Sequence, residues 1–181
     1  MEIEYYYDEN DLLTYQLYVA SKSEIINKRR QKTKIHIPII NFVFGLTFLI
    51  TGHWIFSITL IAIAILWYFL IPLRDKRNIA RSYKNWNKKN AKDKFGINNI
   101  LEFNNDFILT KYNGNESKVL TKEIDKIDEI STNIFIKLKS GQVYILPKDK
   151  INDINLLISY LKELAIYLNI KYNIEENWEW K

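Results

Sequence analysis

Cysteine is absent from this chain of 181 residues, and histidine, proline and glycine are scarce, at two, three and five. Without cysteine there is no disulfide, no thiolate metal site and no cysteine nucleophile, so nothing points to an oxidising compartment. Two histidines, His36 and His53, are too few for an imidazole-rich metal centre. The glycines are scattered, so no glycine-rich loop is available to cradle a phosphate. A hydrolytic site usually needs a nucleophile, a base and an orienting group, and no such set is visible. We therefore expect no enzyme, no cofactor and no metal. Ile, Asn and Lys supply 70 of the residues, as in the product of an AT-rich genome, and their abundance carries little functional weight.

A second absence is local. From Ile35 to Leu73 there are 39 residues without one Asp, Glu, Lys or Arg. A bilayer core takes about 20 apolar residues per helix, so this stretch suits two spans and is too long for one. Thr51-Gly52-His53 divides it, because Gly52 can adopt the left-handed conformation that ends a helix. The expected helices are residues 35–51 and 54–73, with Pro38 in the first turn of one and Pro72 closing the other. Trp54 to Leu73 is apolar around its whole circumference, unlike a helix of a soluble domain, which keeps a polar stripe. The acidic, aromatic segment before it and the lack of a small-residue cleavage pattern argue against a cleavable signal.

The charges flanking this stretch set its orientation. Residues 22–34 carry six Lys or Arg, residues 74–94 carry nine, and the Thr51-Gly52-His53 tip carries none. The positive-inside rule then puts both flanks, and both termini, in the cytoplasm of a multi-pass inner-membrane protein. The net charge of +5 first suggests nucleic acid. Its surplus, however, lies wholly against the apolar stretch, and residues 1–21 and 95–181 are together acidic, so no nucleic-acid partner is expected. Arg74, Arg77, Arg81 and Lys84 recur at helical spacing and are candidates for lipid headgroups, although a topology signal on a solvated helix accounts for them too. Asn41, Gly45 and Gly52 on one predicted helix, and Ser57 and Ala64 on the other, are small or polar positions that let membrane helices approach. We expect them to form the contact inside the hairpin; a homodimer seam is the alternative.

Outside the hairpin, Glu2 to Tyr7 alternates like a strand, and Asp8 to Asp11 offers caps for a helix expected to run through Ile25-Ile26 into the first span. Residues 1–34 are thus read as strand plus juxtamembrane helix, and 74–94 as a basic juxtamembrane helix. From Phe95 the pattern changes to alternation. Six strands are predicted: residues 100–103, 107–112, 117–120, 126–130, 134–138 and 143–146. Asn113-Gly114 marks a hairpin. Asn152 or Asp153 caps a final amphipathic helix that buries Leu157, Leu161, Leu164 and Ala165. The fold class is membrane α+β: a transmembrane hairpin with a small antiparallel sheet domain, residues 95–170, plugged by its C-terminal helix, and an aromatic tail, 171–181, expected to be mobile or a contact site. Asp125, Asp128 and Glu129 form its densest acidic patch and read as solvated acids. Lys111, Lys118, Lys122 and Lys126 read as part of a balanced surface.

The order of these parts resembles a known family. A strand, the helix Asp11-Leu12-Leu13-Thr14-Tyr15-Gln16-Leu17-Tyr18, a two-helix hairpin and a sheet domain reading Leu101-Glu102-Phe103-Asn104-Asn105-Asp106, Ile124-Asp125-Lys126-Ile127 and Tyr144-Ile145-Leu146-Pro147-Lys148 are similar to the bacterial YcxB-like proteins. The family often has Trp before the acid-aliphatic turn where this chain has Lys122. The resemblance implies a pleckstrin-homology-like C-terminal domain and supplies no activity or catalytic residues. The leading expectation is a membrane-held binding module whose partners are the bilayer and an unidentified protein. The alternative is a toxin-neutralising immunity protein. A transport or channel subunit ranks below both, because no ionisable group lies between the spans.

Overall fold

The computed structural model describes residues 1–180 and divides into two compact units. One comprises Met1–Tyr15 with Trp86–Glu179, the other Gln16–Asn85 with Trp180. The architecture is α+β, with two long apolar helices, β-sheet and a C-terminal helix.

The first unit holds eight strands in two four-stranded sheets. β1 (Glu2–Tyr5), β2 (Asn99–Phe103), β3 (Phe107–Tyr112) and β4 (Asn115–Leu120) form one antiparallel sheet in the order β1-β2-β3-β4. β5 (Ile124–Ile130), β6 (Asn133–Leu138), β7 (Val143–Pro147) and β8 (Lys171–Glu175) form the other, in the order β7-β6-β5-β8. The six strands predicted for the sheet domain are present, the strand expected near the N-terminus joins them as β1, and the C-terminal end adds β8, which was not expected. Glu2 and Glu4 of β1 face out while Ile3 and Tyr5 are buried, and Ile3 lies opposite Leu101. The N-terminal strand therefore belongs to the sheet unit and not to a separate juxtamembrane piece. The second sheet is not purely antiparallel, since β8 runs parallel to β5, with Tyr172 opposite Ile127. The first part of the segment read as an aromatic tail, Lys171–Glu175, is this strand. Asn113 and Gly114, both at positive φ, make the two-residue β3–β4 hairpin that the sequence signals.

α4 (Ile154–Leu168) presents Leu157, Leu161, Leu164 and Ala165 to a core that includes Leu101, Phe103 and Ile108 of one sheet and Ile127, Ile136 and Leu146 of the other. Each fully buried Leu contributes roughly 1.5–3 kcal/mol over its exposed state, so one helix face ties both sheets together. Asp153 stands at the N-cap position without a side-chain cap bond, and left-handed Asn169 ends the helix with its N–H on Ala165 O and Ile166 O. Strand alternation puts Phe135 on the face opposite Ile134 and Ile136. That face is covered as well: Tyr15 of α1 (Glu9–Lys22) packs its ring 5.1 Å from that of Phe135.

The second unit is a helical hairpin. α2 (Glu24–Ile50) starts at Ser23, whose hydroxyl accepts the Ile26 N–H at 3.4 Å, so α1 ends at Lys22 and does not run on into the span. α3 (Trp54–Asn90) is one helix of 37 residues. Neither proline is at a helix end: Pro38 lies inside α2 and Pro72 inside α3. The upstream cap at Ser23 moves the start of α2 fourteen residues before Pro38, and Pro72 removes one N–H from a ladder whose neighbours on both sides hold. Such interior prolines are tolerated in long apolar helices that keep the remaining backbone bonds. Both helices are long and apolar enough to cross a membrane, with 6% and 17% of their apolar windows buried.

Candidate functional site

Just beyond the apolar stretch, α2 and α3 leave a groove between them. Ile26, Arg29, Arg30 and Thr33 on α2 face Asp75, Asn78, Ile79, Ser82 and Tyr83 on α3 around a cavity of about 500 Å³. The spacing is i, i+3, i+4, i+7 on each helix, the seam pattern of two packed helices. Short polar residues fill the seam at Thr33, Asn78 and Ser82, and so leave the space that larger apolar side chains would close. Two guanidinium groups and one carboxylate line it. The Arg30 guanidinium lies 4.9 Å from the Trp180 ring centroid, and the Trp180 indole N–H donates to Lys76 O at 3.1 Å. Stacking on an aromatic face orients a guanidinium without removing its charge.

The predicted basic stripe is elsewhere on the same helix. Arg74, Arg77, Arg81 and Lys84 are all exposed and form no ion pair with a described residue. At 100° per residue they are centred about 140° around α3 from the groove-lining positions. The stripe and the groove are thus distinct. Sequence reasoning counted Arg29 and Arg30 as topology charges only; their shared face with Ile26 and Thr33 was the available signal.

The proposed helix-packing residues are divided as well. A Cβ on Gly45 would meet Ile61 Cγ1 at 2.9 Å and Ser57 O at 3.4 Å, so the two helices approach closely at Gly45. Ser57 and Ala64 are buried and Asn41 is half-buried. Gly52 does not join this contact; it is exposed in the turn at φ 83°. His36 Nδ1 lies 3.0 Å from Lys32 O, and His53 is exposed beside Gly52.

No family model, curated protein or solved structure matches this chain.

In the sheet unit the acidic patch departs from expectation. Asp128 and Glu129 are buried and paired, because β5 is an interior strand flanked by β6 and β8. Lys126 bridges Asp128 at 2.6 Å, and Asn173 of β8 donates to the same carboxylate at 2.6 Å. Glu129 accepts from Lys148 at 2.7 Å and from the Tyr172 hydroxyl at 2.6 Å. Burial works against the Glu129 charge, but these two donors outweigh it and hold its pKa below the usual carboxylate value. Burial, together with the same bond, pushes the Tyr172 hydroxyl well above the usual phenol range. Only Asp125 is solvated as expected, half exposed against Lys137 at 3.3 Å.

A third cluster ties the N-terminal segment to the sheet. Lys150 reaches Asp8 at 2.7 Å and Asp11 at 2.6 Å, and Asn133 donates to Asp11 at 3.0 Å. Burial opposes the Lys150 charge, yet the two carboxylates raise its pKa above the ordinary lysine value. Lys111 pairs loosely with Glu102 at 3.8 Å, and Lys118 sits 3.8 Å over the Phe107 ring. Among the described residues no group of three His, Asp or Glu is arranged to hold a metal ion. Every buried acid described here is neutralised by a fixed cation or donor, an arrangement that holds a fold.

Proposed function

We propose that the chain is a non-enzymatic integral membrane protein. Its hairpin enters the inner membrane from the cytoplasmic side, and its pleckstrin-homology-like sheet unit binds a protein or lipid at the inner membrane surface. The observation that carries this is the apolar hairpin itself: Ile39, Phe44, Ile50, Ile55, Phe56 and Phe69 are all more than half exposed. Contiguous apolar surface on that scale needs a covering that water does not supply. The basic residues on both flanks and their absence at the tip support the orientation. Two four-stranded sheets closed by α4 support the pleckstrin-homology-like reading, as does the order of parts shared with YcxB-like proteins.

Two measurements test it. In cells, the chain should resist alkaline carbonate extraction, and a periplasm-dependent reporter should work when fused after Gly52 but not after Lys181. Release by carbonate, or the reverse reporter pattern, sinks the membrane assignment. A photo-crosslinking residue at the exposed positions Tyr112 or Leu120 of the intact chain should then trap a discrete partner. If only non-specific products form at both, the binding role fails, and trapping a toxin would turn the reading to an immunity protein.

A further inference from the structure

We propose that β4 is a pairing edge for a second copy of this chain, in an antiparallel register centred on Ser117 that sets Glu116 of each copy opposite Lys118 of the other. A strand edge pairs whether or not the hairpin crosses a bilayer, so the proposal goes beyond the membrane-bound binding role and does not depend on it.

The backbone comes first. β4 stands at the end of its sheet, pairs with β3 alone, and is exposed at every residue except Val119, which is half-buried. The two-residue turn at Asn113-Gly114 makes Tyr112 and Asn115 a hydrogen-bonded pair, and alternation then makes Thr110 with Ser117 and Ile108 with Val119 the next ones. The Thr121 N–H, which bonds to Asp106 O at 3.0 Å, keeps the same phase. The backbone N–H and C=O groups of Glu116, Lys118 and Leu120 therefore point away from β3, toward the open side. The ladder runs from Asn115 to Leu120 without a bulge and the strand holds no proline, so two usual ways of blunting an edge are missing.

Charge then selects the partner and the register. Two antiparallel edges bond to each other only where outward-facing residues meet outward-facing residues. Near the middle of β4 the registers that satisfy this are centred on Glu116, Ser117 or Lys118. The first opposes Glu116 to its own copy and the last opposes Lys118 to its own copy, and like charges directly opposite are destabilising. Centred on Ser117, both contacts become unlike pairs on one face, with Cβ atoms about 4.5–5.5 Å apart. Glu116 makes no ion pair with a described residue, because Lys111 across the ladder leans to Glu102 at 3.8 Å. Lys118 rests 3.8 Å over the Phe107 ring, a neutral partner that orients the ammonium without cancelling its charge. A lysine on an edge strand ordinarily blocks pairing. With Glu116 two residues away on the same face, it blocks every partner that lacks an acid opposite it, and an antiparallel copy supplies that acid. The other edge of this sheet, β1, has only Glu2 and Glu4 as charged residues and repels its own copy. One pair of edge strands buries less than the roughly 1,200 Å² of a standard interface, so the association is weak and depends on concentration.

The test uses the intact chain in an uncharged detergent and exploits its lack of cysteine. In the proposed register Ser117 faces its own copy as a non-hydrogen-bonded pair, with Cα atoms about 4.5 Å apart, inside the range of about 4.4–6.8 Å that a disulfide spans. S117C, oxidised with copper phenanthroline, should form a covalent dimer at least fivefold faster than N115C, whose counterpart is four residues out of register, roughly 13 Å along the strand. Added to S117C, E116K alone or K118E alone should slow the disulfide at least fivefold, and E116K/K118E together should restore it to within twofold. The double swap also removes the cation from the Phe107 ring, so its recovery traces to the pairs across the edge and not to that contact. Circular dichroism spectra matching the parent confirm that each variant is folded. Equal rates for S117C and N115C would show random collision and overturn the seam, as would no S117C disulfide or a double swap that fails to recover. A dimer made through the hairpin would leave E116K and K118E without effect, which also overturns it. Failure of the membrane reading is separable, because it appears as release in the carbonate extraction while the S117C disulfide still forms.

Discussion

Ile3→Ala tests the claim that the N-terminal strand is part of the sheet unit. Ile3 is 6% exposed, lies opposite Leu101 and sits in the core cluster with Phe103 and α4 residues. The substitution removes three carbons from a buried site, a transfer loss of about 2.4 kcal/mol at roughly 0.8 kcal/mol each. The cavity left behind adds to this, within the range of about 2–5 kcal/mol seen for such truncations. For a domain of this size 1 kcal/mol moves the melting temperature by roughly 4–8 °C, so a drop of about 10 °C or more is expected. The matched control is Glu2→Ala, an exposed position on the same strand, expected within about 0.5 kcal/mol of the parent. Thermal unfolding of the intact chain in an uncharged detergent, followed by the loss of β-sheet circular dichroism, reads both. If Ile3→Ala melts with Glu2→Ala, β1 is not a working member of the sheet and the two-sheet core is wrong.

Acid should weaken the sheet unit through Glu129. Its folded pKa lies below its ordinary value of 4.5, so its pairing with Lys148 and Tyr172 contributes fully above that value and is lost as pH falls through the depressed one. Glu129→Gln should flatten the acid limb of a stability-against-pH profile and cost about 1–3 kcal/mol at pH 7; an unchanged acid limb would place the sensitivity elsewhere. In the hairpin, Gly45→Leu must displace Ile61 and crowd the Ser57 carbonyl, an overpacking cost of about 1–3 kcal/mol. Phe44→Leu, at an exposed neighbour, should be nearly neutral when unfolding of the hairpin in detergent is followed by the loss of helical circular dichroism. Equal behaviour of the two would show that the close helix approach is not made at Gly45.

What the sequence disclosed depended on how local the controlling interaction is. The apolar helices follow from a charge-free run, and β2 to β7 follow from alternation punctuated by turns such as Asn113-Gly114, all read within a few residues. The prolines misled because the rule for Pro38 and Pro72 is local, whereas the helix limits are set by a distant cap at Ser23 and by continuation of α3 to Asn90. β8 was hidden because its parallel partner β5 lies more than forty residues upstream. The buried acids were misread for the same reason. Glu129 finds its donors 19 and 43 residues away and Asp128 its amide 45 residues away. At the groove the residues were visible but their arrangement was not: Arg29 and Arg30 satisfied the topology rule, and the residues that face them, Asp75, Asn78 and Ser82, lie more than forty positions downstream.

The pairing of β1 with β2 also fixes an order of events during synthesis. Tyr5 and Asn99 are partners in the ladder, and at about 5–20 residues per second the ribosome needs roughly 5–20 s to make the chain between them. Throughout that interval the residues of β1 have no partner strand to join, while the apolar hairpin is being made. Glu2 and Glu4, alternating with the two residues that will be buried, put charge on its outward face for the whole wait. Charge on a lone strand discourages premature pairing with other chains. The acidic start of the chain thus acts as a timing safeguard for a strand made long before its partner.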